Sequence, residues 1–196
     1  TLYDASFQEF LANDDTPECQ FISLHGIWSW ISDANRQAIV DIIRTKLAVG
    51  GVVYMSYNTF PGWAGFAPMR HLMTQHAKVL GSAGEGIINR IDDAFDFSER
   101  LFKLDPKYLL ANPQAAERMK QMQGQNRHYL AHEFFNEDWH PMHVSEVAEL
   151  LGDAKLEFAA SATFSDHVDK VHLTEEQRQF LNDIPDITLR ETARGF

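Results

Sequence analysis

QFISLH, residues 20–25, is a short apolar run that stops at Gly26, as expected for a buried strand that ends in a loop. A helix is predicted next, because Ser32 is suited to be its N-cap and apolar residues recur at helical spacing from Ile39 to Leu47. The first elements predicted from this stretch are therefore a strand and an amphipathic helix.

Gly50 and Gly51 come next and are predicted to end the helix. They are predicted to form a turn that leads to the run VVYMSY at residues 52–57. This run is rich in β-branched and aromatic residues, as is typical of a strand. Strand, helix and strand in this order form a βαβ unit, whose strands are parallel and whose crossover is almost always right-handed. The sequence therefore predicts an α/β sheet, with residues 1–60 as one part of it.

Beyond Tyr57 the periodicity becomes helical over residues 61–131, which predicts an inserted helical domain or lid. Its helices are predicted at residues 67–80, 86–104 and 113–131. The sheet is predicted to resume in residues 132–196. The elements expected there are a helix at 143–151, a strand at 156–160 and a last helix that opens with the capping box of Thr174 and Gln177.

Composition narrows the class of protein. The 196 residues include 28 acidic and 17 basic side chains, and the net charge of -11 would repel nucleic acid phosphates. The apolar runs are far shorter than the roughly 20 residues that cross a bilayer, so no membrane span is predicted. The single cysteine, Cys19, and the lack of an export signal fit a cytoplasmic protein. Because strand-like sequence begins at Thr1, we expect a fragment of a longer protein.

Polar and aromatic residues concentrate where the two predicted strands end, at residues 24–30 and 56–63. In an open parallel sheet, the carboxyl ends of the strands line the ligand crevice. Three of the four tryptophans lie in these two segments, and an indole offers a stacking face to a flat or cationic ligand. The alternative is that the indoles only pack the loops against the core.

Asp4 also has two possible roles, because it directly precedes a short helical pattern at Phe7, Phe10 and Leu11. Its carboxylate can accept a hydrogen bond from an adenine amine or a hydroxyl group of a ligand. It can equally cap the helix that follows.

Several histidines could suggest a metal site. Those close together are His128, His132, His140 and His143. Their spacing is not the His-Glu-x-x-His of a zinc site, so no metal is predicted. Glu133 or His25 can act as a general base, and His25 is better placed because it lies at a strand end. Proximity and alignment of the bound reactants can also suffice without a base.

The order of these features matches a known family. The residues that carry the match are His25-Gly26, Trp28-Ser29-Trp30, Gly50-Gly51, Ser56-Tyr57-Asn58, Pro61-Gly62-Trp63, Arg70, His132-Glu133, Trp139 and Arg190-Glu191. In this set the chain resembles, over nearly its whole length, a bacterial family of S-adenosylmethionine-dependent methyltransferases with a methyltransferase regulatory domain. The resemblance implies the second half of a Rossmann-like methyltransferase sheet with a large helical insertion, the regulatory region.

The resemblance also implies site residues, with His25 as the candidate catalytic residue. Those for the cofactor, S-adenosylmethionine, are Asp4, Ala5, Ser6, His25, Gly26 and Trp28. Those for acceptor contact or lid closure are Trp30, Tyr57, Asn58, Trp63 and Arg70.

Two departures from the methyltransferase pattern qualify these implications. The chain has His-Gly-Ile-Trp where many amino-methylating enzymes have Asn-Pro-Pro-aromatic, so N-methylation of an amide or base is not supported. It also lacks the glycine-rich loop that lets the backbone approach the cofactor, so weak or absent cofactor binding is expected for the chain alone. The parent protein is expected to methylate an unidentified small molecule or protein. The alternative is a non-catalytic regulatory module that binds a partner protein.

Overall fold

The computed structural model describes residues 2–82 and 84–196, which form two compact units. The first unit consists of the described residues up to Phe60 together with His140–Phe196, and the second is Pro61–Trp139. The helical segment predicted at residues 61–131 lies inside the second unit. Each unit has an apolar core of its own.

Helices predominate along the described part of the chain. In order, the elements are α1 (Phe7–Leu11), β1 (Cys19–Leu24), α2 (Asp33–Lys46), β2 (Leu47–Met55), α3 (Ala67–Val79), α4 (Ile87–Phe102), α5 (Lys107–Ala111), α6 (Pro113–Gln123), α7 (Arg127–Glu133), α8 (Val144–Gly152), α9 (Asp169–His172), α10 (Glu175–Asn182) and α11 (Ile187–Arg194). Short 3-10 helices occur at Trp28–Trp30 and Phe164–His167. No helix in the described ranges has the length and apolar character needed to span a bilayer.

The predicted βαβ unit is present in the first unit. β1 and β2 pair in parallel, with α2 as the connection between them. Ser32 caps α2, since its Oγ accepts a hydrogen bond from the Asn35 backbone N–H at 3.3 Å. The apolar side of α2 is buried at Ile39 and Ile43. Val147 of α8 joins the same core, so residues from both ends of the chain complete this unit.

The predicted turn at Gly50 and Gly51 is wrong, because both glycines lie inside β2. α2 ends at Lys46 and β2 begins at the next residue. The register then moves from Cys19↔Leu47 to Phe21↔Val52, so that five steps along β2 match two along β1. Gly50 has φ of 82°, a conformation that favours glycine. The two glycines therefore form a bulge within the strand and not a turn before it.

The predicted late strand at residues 156–160 is also wrong, since this segment is irregular. Leu156 and Phe158 are partly buried while Glu157 and Ala159 are exposed, which is the alternation expected of a strand. The sheet formed by the described residues has two strands, however, and neither pairs with this segment. Alternation without a hydrogen-bonding partner does not make a strand.

The helix predicted at residues 113–131 is two helices, α6 and α7, which are separated by residues 124–126. Asn126 starts α7, because its Oδ1 accepts a hydrogen bond from the His128 backbone N–H at 2.8 Å. The capping box at Thr174 and Gln177 is confirmed at the start of α10. The last helix, α11, follows it and was not predicted; Asp186 is its N-cap.

Candidate functional site

His25 lies at the carboxyl end of β1, beside the corresponding end of β2. Its Nδ1 is 3.2 Å from the Tyr54 hydroxyl oxygen and 3.3 Å from Ser56 Oγ. The His25 and Tyr54 rings are nearly parallel, with an interplanar angle of 12° and centroids 6.1 Å apart. The imidazole is exposed. The pairing of parallel strands thus fixes one ring nitrogen of His25 and leaves the ring open to solvent.

Ser56 connects this cluster to the loop after β1. Its Oγ accepts a hydrogen bond from the Gly26 backbone N–H at 2.8 Å. Gly26 has φ of 65°, and a Cβ built there would meet no atom within 4 Å. The glycine is therefore required by the backbone conformation, not by a lack of space.

Tyr54 and Ser56 are site residues that the sequence analysis did not select. Both lie in the predicted run 52–57, two residues apart, which places their side chains on the same side of an extended strand. That alternation shows that they share a side, but their position beside His25 depends on the register of the two strands. We refer to His25, Tyr54 and Ser56 as the histidine cluster.

Residues 57–60 are held by a second set of backbone contacts. The Asn58 backbone N–H donates to Ser29 Oγ at 2.8 Å, and the Met142 N–H donates to the Asn58 carbonyl at 3.0 Å. The Asn58 side-chain Nδ2 is buried and has no hydrogen-bond partner among the described residues. Burial also raises the pKa of the Tyr57 phenol. Asn58 thus combines a fixed backbone with an unused side-chain donor.

Trp28, a predicted cofactor contact, is a core side chain in this structure. It is 0% exposed and packs with Leu24 and Ile39. Its carbonyl accepts a hydrogen bond at 3.1 Å from Arg36, which also donates to the Ile31 carbonyl at 2.7 Å. The neighbouring Trp30, by contrast, is partly exposed. The burial of Trp28 corresponds to the packing alternative weighed for the tryptophans.

The helix cap near the start of the chain is Ser6 and not Asp4. Ser6 and Glu9 form a capping box at α1, in which Ser6 Oγ accepts from the Glu9 N–H at 3.2 Å. The hydrogen bonds from Ser6 hold the pKa of the Glu9 carboxyl below its usual range. Asp4 and Ala5 are exposed. The Asp4 carboxylate is therefore not used as a cap and is accessible to a ligand.

Arg70 belongs to the second unit, where backbone carbonyls fix its guanidinium group. Nε donates to the Phe134 carbonyl at 2.9 Å, and Nη2 donates to the Asn136 carbonyl. The guanidinium carbon lies 4.6 Å from the centroid of the Trp139 ring. Burial lowers the pKa of Arg70 to about 10, which leaves the side chain charged at neutral pH.

Trp63 lies in the same cluster of the second unit. Its ring meets Trp139 edge-to-face, with centroids 5.4 Å apart, and the Arg118 guanidinium carbon is 3.6 Å from the Trp63 centroid. In this structure Trp63 and Arg70 therefore contact groups of their own unit.

The four closely spaced histidines are divided between the two units. His128 and His132 lie on α7, and His132 Nδ1 is 3.4 Å from Glu133 Oε1. His143 is the N-cap of α8 and packs against Phe60. Among the residues that the structure describes, no group of three or more His, Cys, Asp or Glu side chains has the arrangement of a metal site.

Solved structures identify the class of fold. PKMT2 from Rickettsia typhi in complex with AdoHcy has a TM-score of 0.69 at 19% identity, over 97% of this chain and 35% of that protein's chain. A second structure of PKMT2 from Rickettsia typhi has a TM-score of 0.62 at 18% identity, over 93% and 34% of the two chains. The chain therefore shares its α/β fold with about a third of the PKMT2 chain.

Sequence comparisons find further similarities. Residues 126–196 match the predicted methyltransferase regulatory domain family, which confirms the resemblance to proteins with such a domain. The matched range overlaps the helical insertion of residues 61–131, expected to be the regulatory region, only at residues 126–131. An uncharacterised protein of Synechocystis is 46% identical over 194 residues, and one of Rickettsia prowazekii is 24% identical over 135 residues. The match to the Synechocystis protein includes 99% of this chain and 38% of that protein. The match to the Rickettsia protein includes 64% of this chain and 24% of that protein. This chain therefore spans well under half the length of these relatives.

Proposed function

We propose that the longer protein containing this chain is an S-adenosylmethionine-dependent methyltransferase, and that β1, α2 and β2 belong to the second half of its Rossmann-like sheet. Three observations support this proposal. The strands are parallel with a helical connection, residues 126–196 match the regulatory domain family, and a protein of similar fold was solved with AdoHcy. AdoHcy is what remains of S-adenosylmethionine after its methyl group has been transferred.

The residues assigned to the cofactor fit parts of it by their chemistry. Asp4 and Ala5 are exposed, and a free carboxylate can accept hydrogen bonds from a ribose hydroxyl or an adenine amine. We assign these two residues, with Ser6, to the adenosine side. His25 and Gly26 are assigned to the methionine side. The bound cofactor would supply an electrophilic methyl group.

The histidine cluster carries the mechanistic proposal. If Nδ1–H donates to the Tyr54 or Ser56 oxygen, the lone pair of His25 is on Nε2 and faces the open side of the ring. An acceptor bound beside the ring would give up its proton as it takes the methyl group that the cofactor would supply. The proton lost by the acceptor goes to His25 Nε2. His25 thus acts as the general base, with Tyr54 and Ser56 as positioning residues.

For the acceptor we propose contacts with Trp30, Tyr57 and Asn58 in the first unit. The unused Nδ2 donor of Asn58 is the observation in favour, because a buried donor gains most from a carbonyl or hydroxyl oxygen brought by a ligand. The proposed acceptor is a small molecule or a protein. The net charge of -11 argues against nucleic acid.

Cofactor binding is tested by calorimetric titration of AdoHcy into the full-length protein that contains this chain. We expect binding that weakens about tenfold in Asp4→Ala, because a charged hydrogen-bond acceptor is lost. Asp14→Ala, an exposed acid in the same region, is the matched control and should bind as wild type. Absence of binding by the full-length protein would support the non-catalytic module instead. Unchanged affinity in Asp4→Ala would remove Asp4 from the site.

The role of the histidine cluster is tested separately by NMR of the imidazole nitrogens, which reports the tautomer without needing the acceptor. We expect His25 to carry its proton on Nδ1 and to lose this preference in the double variant Tyr54→Phe, Ser56→Ala. A wild-type ring protonated on Nε2 at neutral pH would contradict the assignment of Nε2 as the base. His71, which is exposed on α3, should be unaffected by the double variant.

A further inference from the structure

The second unit contains a pocket of about 430 Å³ between α3, the start of α4 and the segment after α7. Three basic side chains line it, those of Arg70, Lys78 and Arg90. Among the described residues of its lining, Glu137 is the one acid. The pocket thus has a net positive lining in a protein that is strongly acidic overall.

The sequence of α3 places three of the lining residues on one face of the helix. Arg70, Thr74 and Lys78 follow at intervals of four residues, and residues at this spacing are neighbours on a helix surface. Arg90, on the first turn of α4, completes the basic lining. The concentration of positive charge is therefore built by two successive helices.

The guanidinium groups are held in place by groups that do not neutralise them. Arg70 is fixed by the two carbonyls and the Trp139 ring described above, while Arg90 donates to the carbonyls of Glu85 and Ser82 at 3.1 Å each. In the described ranges, none of the three basic side chains forms an ion pair with a carboxylate.

Hydrogen-bond donors also remain unused in the pocket. Arg70 Nη1 and Lys78 Nζ have no hydrogen-bond partner in the part of the chain that the structure describes. The Arg70 guanidinium, which is already oriented by two carbonyls, can bind an anion with little loss of side-chain entropy. Asn136, which also lines the pocket, adds a neutral side-chain amide.

We infer that this pocket binds a small molecule that carries a phosphate or carboxylate group. Its volume lies within the roughly 300–1,000 Å³ of small-molecule sites. The lining residues Phe135, Asn136 and Glu137 fall within the range that matches the regulatory domain. A ligand bound here therefore contacts that domain directly, at residues other than the histidine cluster.

The inference is tested by titrating inorganic phosphate and citrate into the full chain at constant ionic strength, with sodium chloride as the balancing salt. Lys78→Glu is the decisive variant, because Lys78 is exposed and its side chain makes no bond that folding requires. Lys120→Glu makes the same charge change on α6 of the same unit, outside the pocket. Thermal unfolding of both variants verifies that each is folded.

We expect at least one of the two anions to bind, with a dissociation constant that rises about tenfold or more in Lys78→Glu and is unchanged in Lys120→Glu. Stronger binding of phosphate would indicate a phosphorylated ligand, and stronger binding of citrate a carboxylate. The inference is overturned if neither anion binds, or if the two variants weaken binding equally. AdoHcy binding by the full-length protein is a separate measurement, so either proposal can fail alone.

Discussion

Arg36 shows how a single residue links the helix of the βαβ unit to the loop beside the site. Its side chain is 2% exposed, and its guanidinium donates to the carbonyls of Trp28 and Ile31 and to Asp33. The buried charge thus has three acceptors, which offset part of the cost of removing it from water. Through these bonds α2 holds the loop in which Trp28 lies.

Replacing Arg36 by Met should lower the free energy of unfolding by roughly 2–4 kcal/mol, because the buried Trp28 carbonyl and the partly buried Ile31 carbonyl lose their donor. Arg44→Met is the matched control: Arg44 also pairs with an aspartate three residues earlier on α2, but is exposed. The control should cost about 0–1 kcal/mol. Urea unfolding measures both, and similar costs would mean that the buried bonds contribute little.

Asp33 predicts a pH dependence of stability. The hydrogen bond from Arg36 holds the pKa of the Asp33 carboxyl below its usual value of 3.8. A lowered carboxyl pKa stabilises the folded state fully at pH values above the unfolded pKa, and this contribution is lost as the pH falls through the folded value. Wild type should therefore exceed Asp33→Asn in stability at pH 6, and the difference should shrink below about pH 4. A difference that stays constant down to pH 3 would contradict the ion pair.

At this scale the sequence predicted where His25 lies but not which side chains it contacts. His25 was selected because a strand end is a favourable place for a reactive side chain, and it does lie there. Its partners Tyr54 and Ser56 were not predicted, because their position depends on the strand register. The register puts Tyr54 opposite Ser23 and depends on a bulge that the sequence does not indicate. Trp28 was assigned to the cofactor, yet an aromatic residue near a strand end packs inward or outward according to its neighbours.

At the scale of elements, the bulge in β2 has the clearest consequences. Gly50→Ala forces a side chain into the left-handed region and should cost about 1–2 kcal/mol. Gly152→Ala is the control, because Gly152 ends α8 with open space around its Cα and without a positive φ. That change should be neutral or stabilising by up to about 1 kcal/mol. Thermal unfolding measures the stability change of each variant. Equal changes would show that a side chain at position 50 does not strain the backbone.

Elements were predicted where a local signal sufficed. Ser32, Thr174 and the apolar face of α4 mark helices through contacts within a few residues, and these helices are present. The prediction for the glycine pair was wrong because glycine is common both in turns and in bulges. The prediction for residues 156–160 was wrong because a strand needs a pairing partner from elsewhere in the chain. Nonlocal pairing is the information that periodicity lacks.

At the scale of the whole molecule, the chain has two separate cores. One includes Met73, Ile91 and Leu130, all from the second unit, and the other includes Ile39 and Val147 of the first. The change from strand to helical periodicity after Tyr57 was visible in the sequence. The participation of Val147 in the first core was not, because no pattern specifies which distant segment fills a core.

Two cores predict that a core mutation destabilises mainly its own unit. Ile91→Ala should cost about 2–5 kcal/mol in the second unit, and Ile39→Ala a similar amount in the first, because each removes fully buried methyl groups. Hydrogen exchange measured by mass spectrometry assigns the loss of protection to each range. If either variant lowers protection equally across both units, the cores unfold as one.

The discontinuity of the first unit has a consequence for synthesis on the ribosome. Residues up to Phe60 emerge first, but Val147 and the rest of α8 that complete their core follow only after the 61–139 segment. At about 5–20 residues per second, the nascent β1, α2 and β2 wait on the order of ten seconds with apolar side chains such as Ile39 uncovered. The second unit, being continuous, can fold during this interval, and the earlier-made unit is completed after it.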